Sequence, residues 1–353
     1  MSYLNQCRIK FLDITGGDMP DSEYFGLRGY TSVSRLKLLD PRRGGSPQKY
    51  LDGFSMGYNE SLLCGTAVHA HILSPDEYVV SDYQGKPSGK GGFFIEKLAE
   101  LVKSGIDFEQ AKERAAVLAD YYAGKMKGKR WNDIWSKGED YYNKLISGEL
   151  EDPRGREVLV LSPKLLETTH QCINSINRNY AIQSILKQNI FEPKQYYNEI
   201  ALFSNIEVTF PDGTKTVVPF KGKLDSVVYD PEKSILYLND VKTTSKQIEY
   251  FMDYVYEGVG YEGVLSHSWY YGQLAAYQIL LQKYFQEVLH ITDYTLQTNF
   301  FVVETTGEHR SDVKRLNNSY IDTGIQEFKE LICRLAWHQT YGFDKEFPES
   351  VQV

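Results

Sequence analysis

Residues 220–244, FKGKLDSVVYDPEKSILYLNDVKTT, constrain this chain more than any other stretch. Apolar alternation broken at Asp230-Pro231-Glu232-Lys233-Ser234 predicts two strands around a turn. Each strand carries a carboxylate, Asp225 and Asp240, and Lys242 follows the second. Strands disfavour Asp, and like charges placed across a ladder destabilise it. Centring the pairing on the turn places Asp225 opposite Asn239 or Asp240, with Cβ atoms roughly 5–8 Å apart. Two anions that close, among Val, Ile, Leu and Tyr, repel in a poorly screened site. A divalent cation shared between them removes the conflict, and oxygen ligation with open positions suits Mg²⁺ or Mn²⁺. Side chains two apart share a strand face, so the Lys242 ammonium can orient or deprotonate a water beside the ion. These are the parts that metal-assisted phosphodiester hydrolysis requires.

The surrounding chain predicts an α/β fold. Residues 61–73, SLLCGTAVHAHIL, read as a small-residue helix that stops before Ser74-Pro75. Residues 81–92 are rich in Gly and Lys and read as an exposed loop, and 93–150 read as several helices. The segment SPKLLETTHQCINSINRN opens with Ser162 as a cap and Pro163 at the first helical position. From about residue 196 the period changes to alternation, with a hairpin signal at Asp212-Gly213. Residues 245–268 read as irregular, and a helix at 268–289, a strand at 296–304 and a helix at 317–340 follow. The organisation expected is one domain over 1–353, with a mainly helical part at 1–195 and a sheet-and-helix core at 196–353.

No apolar run reaches the roughly 18 residues of a membrane span, and MSYLNQCRIKFLD lacks an apolar signal core, so neither a membrane nor export is expected. Cys7, Cys64, Cys172 and Cys333 are widely spaced with no CxxC pair, which argues against structural zinc or an iron–sulfur cluster and for a reducing cytoplasmic setting. The net charge of −8 argues against a broad nucleic-acid-coating surface but leaves room for a local basic channel. Its candidate walls are Arg35, Lys37, Arg42 and Arg43, and the run GKMKGKR with Lys125, Lys127, Lys129 and Arg130. Either group alone would be an ordinary solvated loop.

The quoted motifs resemble the PD-(D/E)XK nuclease superfamily, in its RecB-like and RecE-like exonuclease branch, which includes phage-type and exonuclease VIII-like enzymes. The resemblance rests on Gly222-Lys223-Leu224-Asp225, then Asp240-Val241-Lys242-Thr243-Thr244, then Gln273 and Tyr277 four residues apart on the next helix. It implies a restriction-endonuclease-like mixed central sheet flanked by helices, with N-terminal helical elaboration. It implies Asp225, Asp240 and the Val241 carbonyl as metal ligands and Lys242 near the nucleophilic water. Gln273 and Tyr277 would position the DNA backbone or active-site groups. GTAVHAHILSP resembles an N-terminal family segment and gives His69 the role of an extra metal ligand or phosphate contact, while His71 points elsewhere. Glu199 in YYNEIALF falls where the family places a Glu near the metals, and Ser32, Ser34 and Lys37 resemble an entry motif that meets DNA.

The activity implied is Mg²⁺-dependent, or Mn²⁺-dependent, exonucleolytic digestion of linear double-stranded DNA in recombination or phage DNA processing. The resemblance further implies linear duplex or a single-strand end as substrate, a single-strand annealing protein as partner, and a homo-oligomeric ring. The same residues would serve a structure-specific or restriction-type endonuclease, or a catalytically weak DNA-binding or assembly protein.

Overall fold

The computed structural model describes residues 3–53, 59–121, 126–187, 192–256 and 269–348. In chain order the elements are β1 (Arg8–Phe11), β2 (Thr15–Asp18), α1 (Asp21–Gly26), α2 (Val33–Lys37), α3 (Pro47–Asp52) and α4 (Glu60–Leu73). Then come β3 (Tyr78–Ser81), α5 (Lys90–Lys103), α6 (Phe108–Leu118), α7 (Lys129–Ser147), β4 (Glu157–Val160), α8 (Pro163–Arg178) and α9 (Tyr180–Leu186). The rest are β5 (Gln195–Thr209), β6 (Lys215–Asp230), β7 (Ile235–Thr244), α10 (Phe251–Tyr256), α11 (Tyr270–Glu287), β8 (Thr295–Glu304), β9 (Ser311–Arg315) and α12 (Asn318–Tyr341).

The fold is mixed α/β, with a central mixed sheet flanked by helices, as the sequence predicted. Seven strands form that sheet in the order β1-β5-β6-β7-β8-β9, with β2 also on β5. The β5–β6–β7 meander is antiparallel, β7 and β8 are parallel across the α10–α11 crossover, and β9 returns antiparallel. The Asp212-Gly213 turn closes the first hairpin: Gly213 takes φ +86°, open to glycine, and the Asp212 carboxylate accepts from Thr214 N at 2.9 Å. Helices α11 and α12 cover one face of the sheet and share a core with Leu224, Val227, Leu236, Leu238, Phe300 and Val302. Helices α4 and α8 cover the other face around Val241, Phe301 and Val303. Helices α5–α7 enclose a separate core of Phe94, Ile95, Leu98, Ala115 and Tyr141.

Three expectations change. The 1–195 part is mainly helical, and it also supplies β1 and β2, which pair with β5 of the main sheet, and α4, which carries a site residue. Strand β2 is Thr-Gly-Gly-Asp, held by backbone pairing to β5, so no apolar alternation announces it. The 81–92 loop is not wholly exposed, because the Lys86 ammonium is buried on Glu96 (2.6 Å) and the Val160 carbonyl (2.6 Å). Ser162 stands at the start of α8 but its side chain makes no capping bond. Within 245–268, a short 3-10 turn at Ile248–Tyr250 and α10 form, and residues 257–268, including His267, lie outside the described residues.

Candidate active site

The β6–β7 ladder ends at Ser226 opposite Asn239. One step further, where the register would set Asp225 opposite Asp240, the strands part. The Asp225 carboxylate replaces the lost ladder bond by accepting from Val241 N at 2.8 Å. On the other side of β6, the β5 register runs through Asn198–Ser226 and Ile200–Leu224 but skips the Glu199–Asp225 step between them. Glu199 takes φ +54° there, a conformation that costs a non-glycine residue about 1–3 kcal/mol. Leu224 and Val227 pack in one core although they are three apart, so the alternation of β6 slips once between them. This break turns Asp225 and Glu199 out of the ladder toward α4.

Helix α4 brings His69 to them. Asn59 caps it, accepting from Ser61 N at 2.9 Å. Gly65, one turn before His69, lets the helix approach β7: a Cβ there would stand 3.1 Å from Thr243 Oγ1. His69 Nδ1 lies 3.1 Å from Glu199 Oε1 and its Nε2 3.0 Å from Asp225 Oδ2. An imidazole with a carboxylate at each nitrogen donates to both only as imidazolium. Burial opposes that charge, but Asp225 and Glu199 outweigh it and hold His69 up at about 9. Burial raises Glu199 to about 7, with Asp225 adding and His69 opposing. Asp225 itself stays below the usual carboxylate range, because His69 and Lys242 overcome its burial.

One ligand atom from each of His69, Glu199 and Asp225 lies within 4.8 Å of the others. That donor set, one imidazole nitrogen and two carboxylates beside the Val241 backbone, fits Mn²⁺ or Mg²⁺ with positions left open. Asp240 is outside this cluster. Its oxygens meet Lys242, whose ammonium contacts Oδ2, and Gln273, whose amide donates to Oδ1 at 3.4 Å. Burial lifts Asp240 to about 6, with Asp225 adding and Lys242 opposing. Burial works against the charge on Lys242, yet Asp240 and Asp225 raise it to about 12. Its ammonium stands 5.1 Å from the Tyr270 ring centroid. Gln273 also donates to Tyr277 Oη at 3.4 Å. Tyr277 packs on Gly222, where a Cβ would stand 2.9 Å from the tyrosine ring, so the glycine of G-x-x-D is the seat for α11.

A cavity of about 1060 Å³ opens over this cluster. His69, Glu199, Asp225, Val241, Lys242 and Tyr277 line it, and so do Ser32, Ser34 and Arg35. Arg43 is a correction: it is buried, pairs with Asp40 and with Glu327 Oε2 (3.0 Å), donates to Tyr271 Oη (2.9 Å) and lies over Trp269, so it cannot wall a DNA channel. Arg42 is engaged by Asp40 (2.9 Å), Glu330 (3.4 Å) and Glu327 (3.7 Å). Lys37 is half-buried and does not line the cavity. Lys127, Lys129 and Arg130 are exposed at the start of α7, away from the cavity lining, and Lys125 lies outside the described residues.

The sequence reading missed Lys221 and Lys223, which the strand period places on the face of Asp225. Lys223 contacts Asp21 and reaches Glu199 Oε2 at 3.4 Å. Lys221 is buried, donating to the Tyr24 and Leu27 carbonyls at 2.6 and 3.1 Å. Asp21, held also by Tyr78 Oη at 2.6 Å, carries no local signal, because its partners are far away in the chain.

No protein-family model matches the chain, and no curated protein matches it. Among solved structures, a crystal structure from Eubacterium rectale described as a "putative exonuclease" superposes over 91% of this chain and 86% of its own, at 12% identity and a TM-score of 0.45. That agreement is too loose to bear on activity.

Proposed function

We propose that this protein is a divalent-metal-dependent deoxyribonuclease that degrades linear double-stranded DNA from an end. The observation that carries the reading is the His69–Glu199–Asp225 cluster, which lines one cavity together with Lys242, whose ammonium contacts the buried Asp240. Bound to that cluster, Mg²⁺ or Mn²⁺ would polarise a phosphoryl oxygen and acidify a water. Lys242, held by Asp240, offers its ammonium to the water or to the charge that develops at phosphorus. Gln273 fixes Asp240, and Lys223 holds Glu199 in its strained position. Arg28 and Arg35 line the same cavity, both exposed, and suit a phosphate backbone. A PD-(D/E)XK exonuclease acting in recombination or phage DNA processing, in the cytoplasm and with an annealing protein or as a ring, is the setting this reading extends to.

The test compares linear duplex with covalently closed circular DNA, with and without Mg²⁺. Linear DNA should disappear only with metal, while closed circles persist. Cutting of circles would replace the exonuclease reading with an endonuclease. Binding without cleavage of either substrate would leave a DNA-binding or assembly protein.

A further inference from the structure

A second cavity, about 360 Å³, adjoins the first, and Ser61, Thr243 and Tyr270 line both. Its chemistry is different. Phe251, Tyr254 and Tyr270 form an aromatic wall, Thr244 and Ser245 add hydroxyls, Lys246 supplies a cation, and among the described residues no acidic residue lines it. The rings are held against one another: Tyr254 and Tyr270 meet edge to face at 6.2 Å, and Phe251 stacks on Tyr270 at 6.3 Å. Lys246 stands 4.3 Å from the Tyr254 ring centroid, and among the described residues no carboxylate pairs with it. An exposed ammonium resting on a ring face for want of an anion is drawn off by one, and its departure frees that face for another planar group.

One cation, three rings, hydroxyls and no acid match a ligand that joins an aromatic base to a phosphate. The volume lies near the small end of the roughly 300–1,000 Å³ that small-ligand sites occupy, which suits one nucleotide and not a duplex. Tyr270 lines both cavities, and the Lys242 ammonium of the first stands 5.1 Å from its ring centroid. We infer that the second cavity is a nucleoside monophosphate subsite, with the base against Tyr254 and Tyr270 and the phosphate on Lys246. Its place in a reaction, as the seat of the nucleotide on one side of the cut, rests on the nuclease reading; the binding itself does not.

The experiment titrates the full-length chain, with EDTA present, with deoxyadenosine monophosphate, deoxyadenosine and inorganic phosphate, by calorimetry. The monophosphate should bind saturably and more tightly than either half. Lys246→Ala should weaken the monophosphate roughly tenfold and leave deoxyadenosine unchanged, Tyr254→Ala should weaken both roughly tenfold, and Tyr254→Phe should restore them. No saturable monophosphate binding, or binding indifferent to both Lys246→Ala and Tyr254→Ala, overturns the subsite. Because no cleavage is read, a chain that binds in this pattern yet cuts no DNA would keep the subsite and lose the nuclease reading. A chain that cuts DNA but does not bind the monophosphate would do the reverse.

Discussion

A carboxylate buried as fully as Asp240 keeps its charge cheaply only while a cation stands against it. Lys242 is that cation, so replacing it does two things. Lys242→Met should slow cleavage by at least about a hundredfold, and at pH 8 should destabilise the metal-free protein by about 3–5 kcal/mol, because the partner charge is left unpaired. The double variant Asp240→Asn/Lys242→Met should recover most of the stability and none of the activity. Urea melts beside a cleavage assay check this, and a single variant as stable as wild type would show that the pair is not the counter-charge it resembles. The pH dependence follows from three groups. Asp240 at about 6, Glu199 at about 7 and His69 at about 9 all titrate above their unfolded values, so the stability they contribute is complete in acid and lost as pH rises through those values. Asp225 is shifted down and works the other way, its contribution lost only as pH falls below the carboxylate range. The metal-free melting temperature should therefore fall by several degrees between about pH 5 and pH 9, and His69→Gln should remove the upper part of that fall. A metal ligated by His69 must displace a proton, so Mn²⁺ affinity should rise between about pH 7 and pH 9. Calorimetry in buffers of different ionisation enthalpy reads the released proton, and a pH-independent affinity would take His69 out of the ligand set. At this scale the sequence named the acids and the lysine from their spacing, and His69 from a motif. It could not see that the ladder ends before Asp240, so that Asp225 and Asp240 are not a ladder pair. Nor could it see that Arg43 faces inward, since Tyr271 and Glu327 are 228 and 284 residues away.

Two helices reach the site because two glycines let them in. At Gly222 a Cβ would stand 2.9 Å from the Tyr277 ring and 3.1 Å from Leu280 Cδ1, both on α11. Gly222→Ala should push α11 away from β6, cost about 1–3 kcal/mol as overpacking does, and carry Gln273 off Asp240. Adding Leu280→Ala relieves only one of the two contacts, so stability should return in part while activity stays low. A Gly222→Ala variant with wild-type melting and cleavage would mean that α11 is not held at this point. The long elements were legible because they are long and dense in apolar residues: β5 alternates over its second half, β6 and β7 carry Val, Leu, Ile and Tyr around a turn, and α11 and α12 run for 18 and 24 residues. What was not legible is the irregularity. The single slip in β6 at Asp225, and the left-handed Glu199 beside it, arise from tertiary demand, and no propensity marks them.

On the whole molecule, the acidic total of −8 and a DNA substrate are reconciled by where the cations lie. Many are spent on carboxylates: Arg42 and Arg43 on Asp40 and Glu327, Lys86 on Glu96, Arg310 on Glu249 and Glu304. Arg28 and Arg35 instead line the site cavity, and Arg35 lies over Tyr50; Lys221 lines it too, but its ammonium is tied to backbone carbonyls. Each phosphate neutralised by a protein cation releases counterions, so the logarithm of affinity falls against the logarithm of salt with a slope near −0.9 per contact on duplex DNA. Arg28→Gln/Arg35→Gln should flatten that slope by about two units and weaken binding evenly across sequences. Lys127→Gln/Lys129→Gln/Arg130→Gln carries one more substitution but leaves the cavity lining intact, and should flatten the slope by less than one unit. Fluorescence anisotropy with a short linear duplex, in Ca²⁺ to hold off cleavage, measures both. If the α7 trio has the larger effect, DNA runs across the α5–α7 helices and reaches the cavity from there. If neither does, the phosphate backbone does not enter this cavity, and the nuclease reading loses its substrate path.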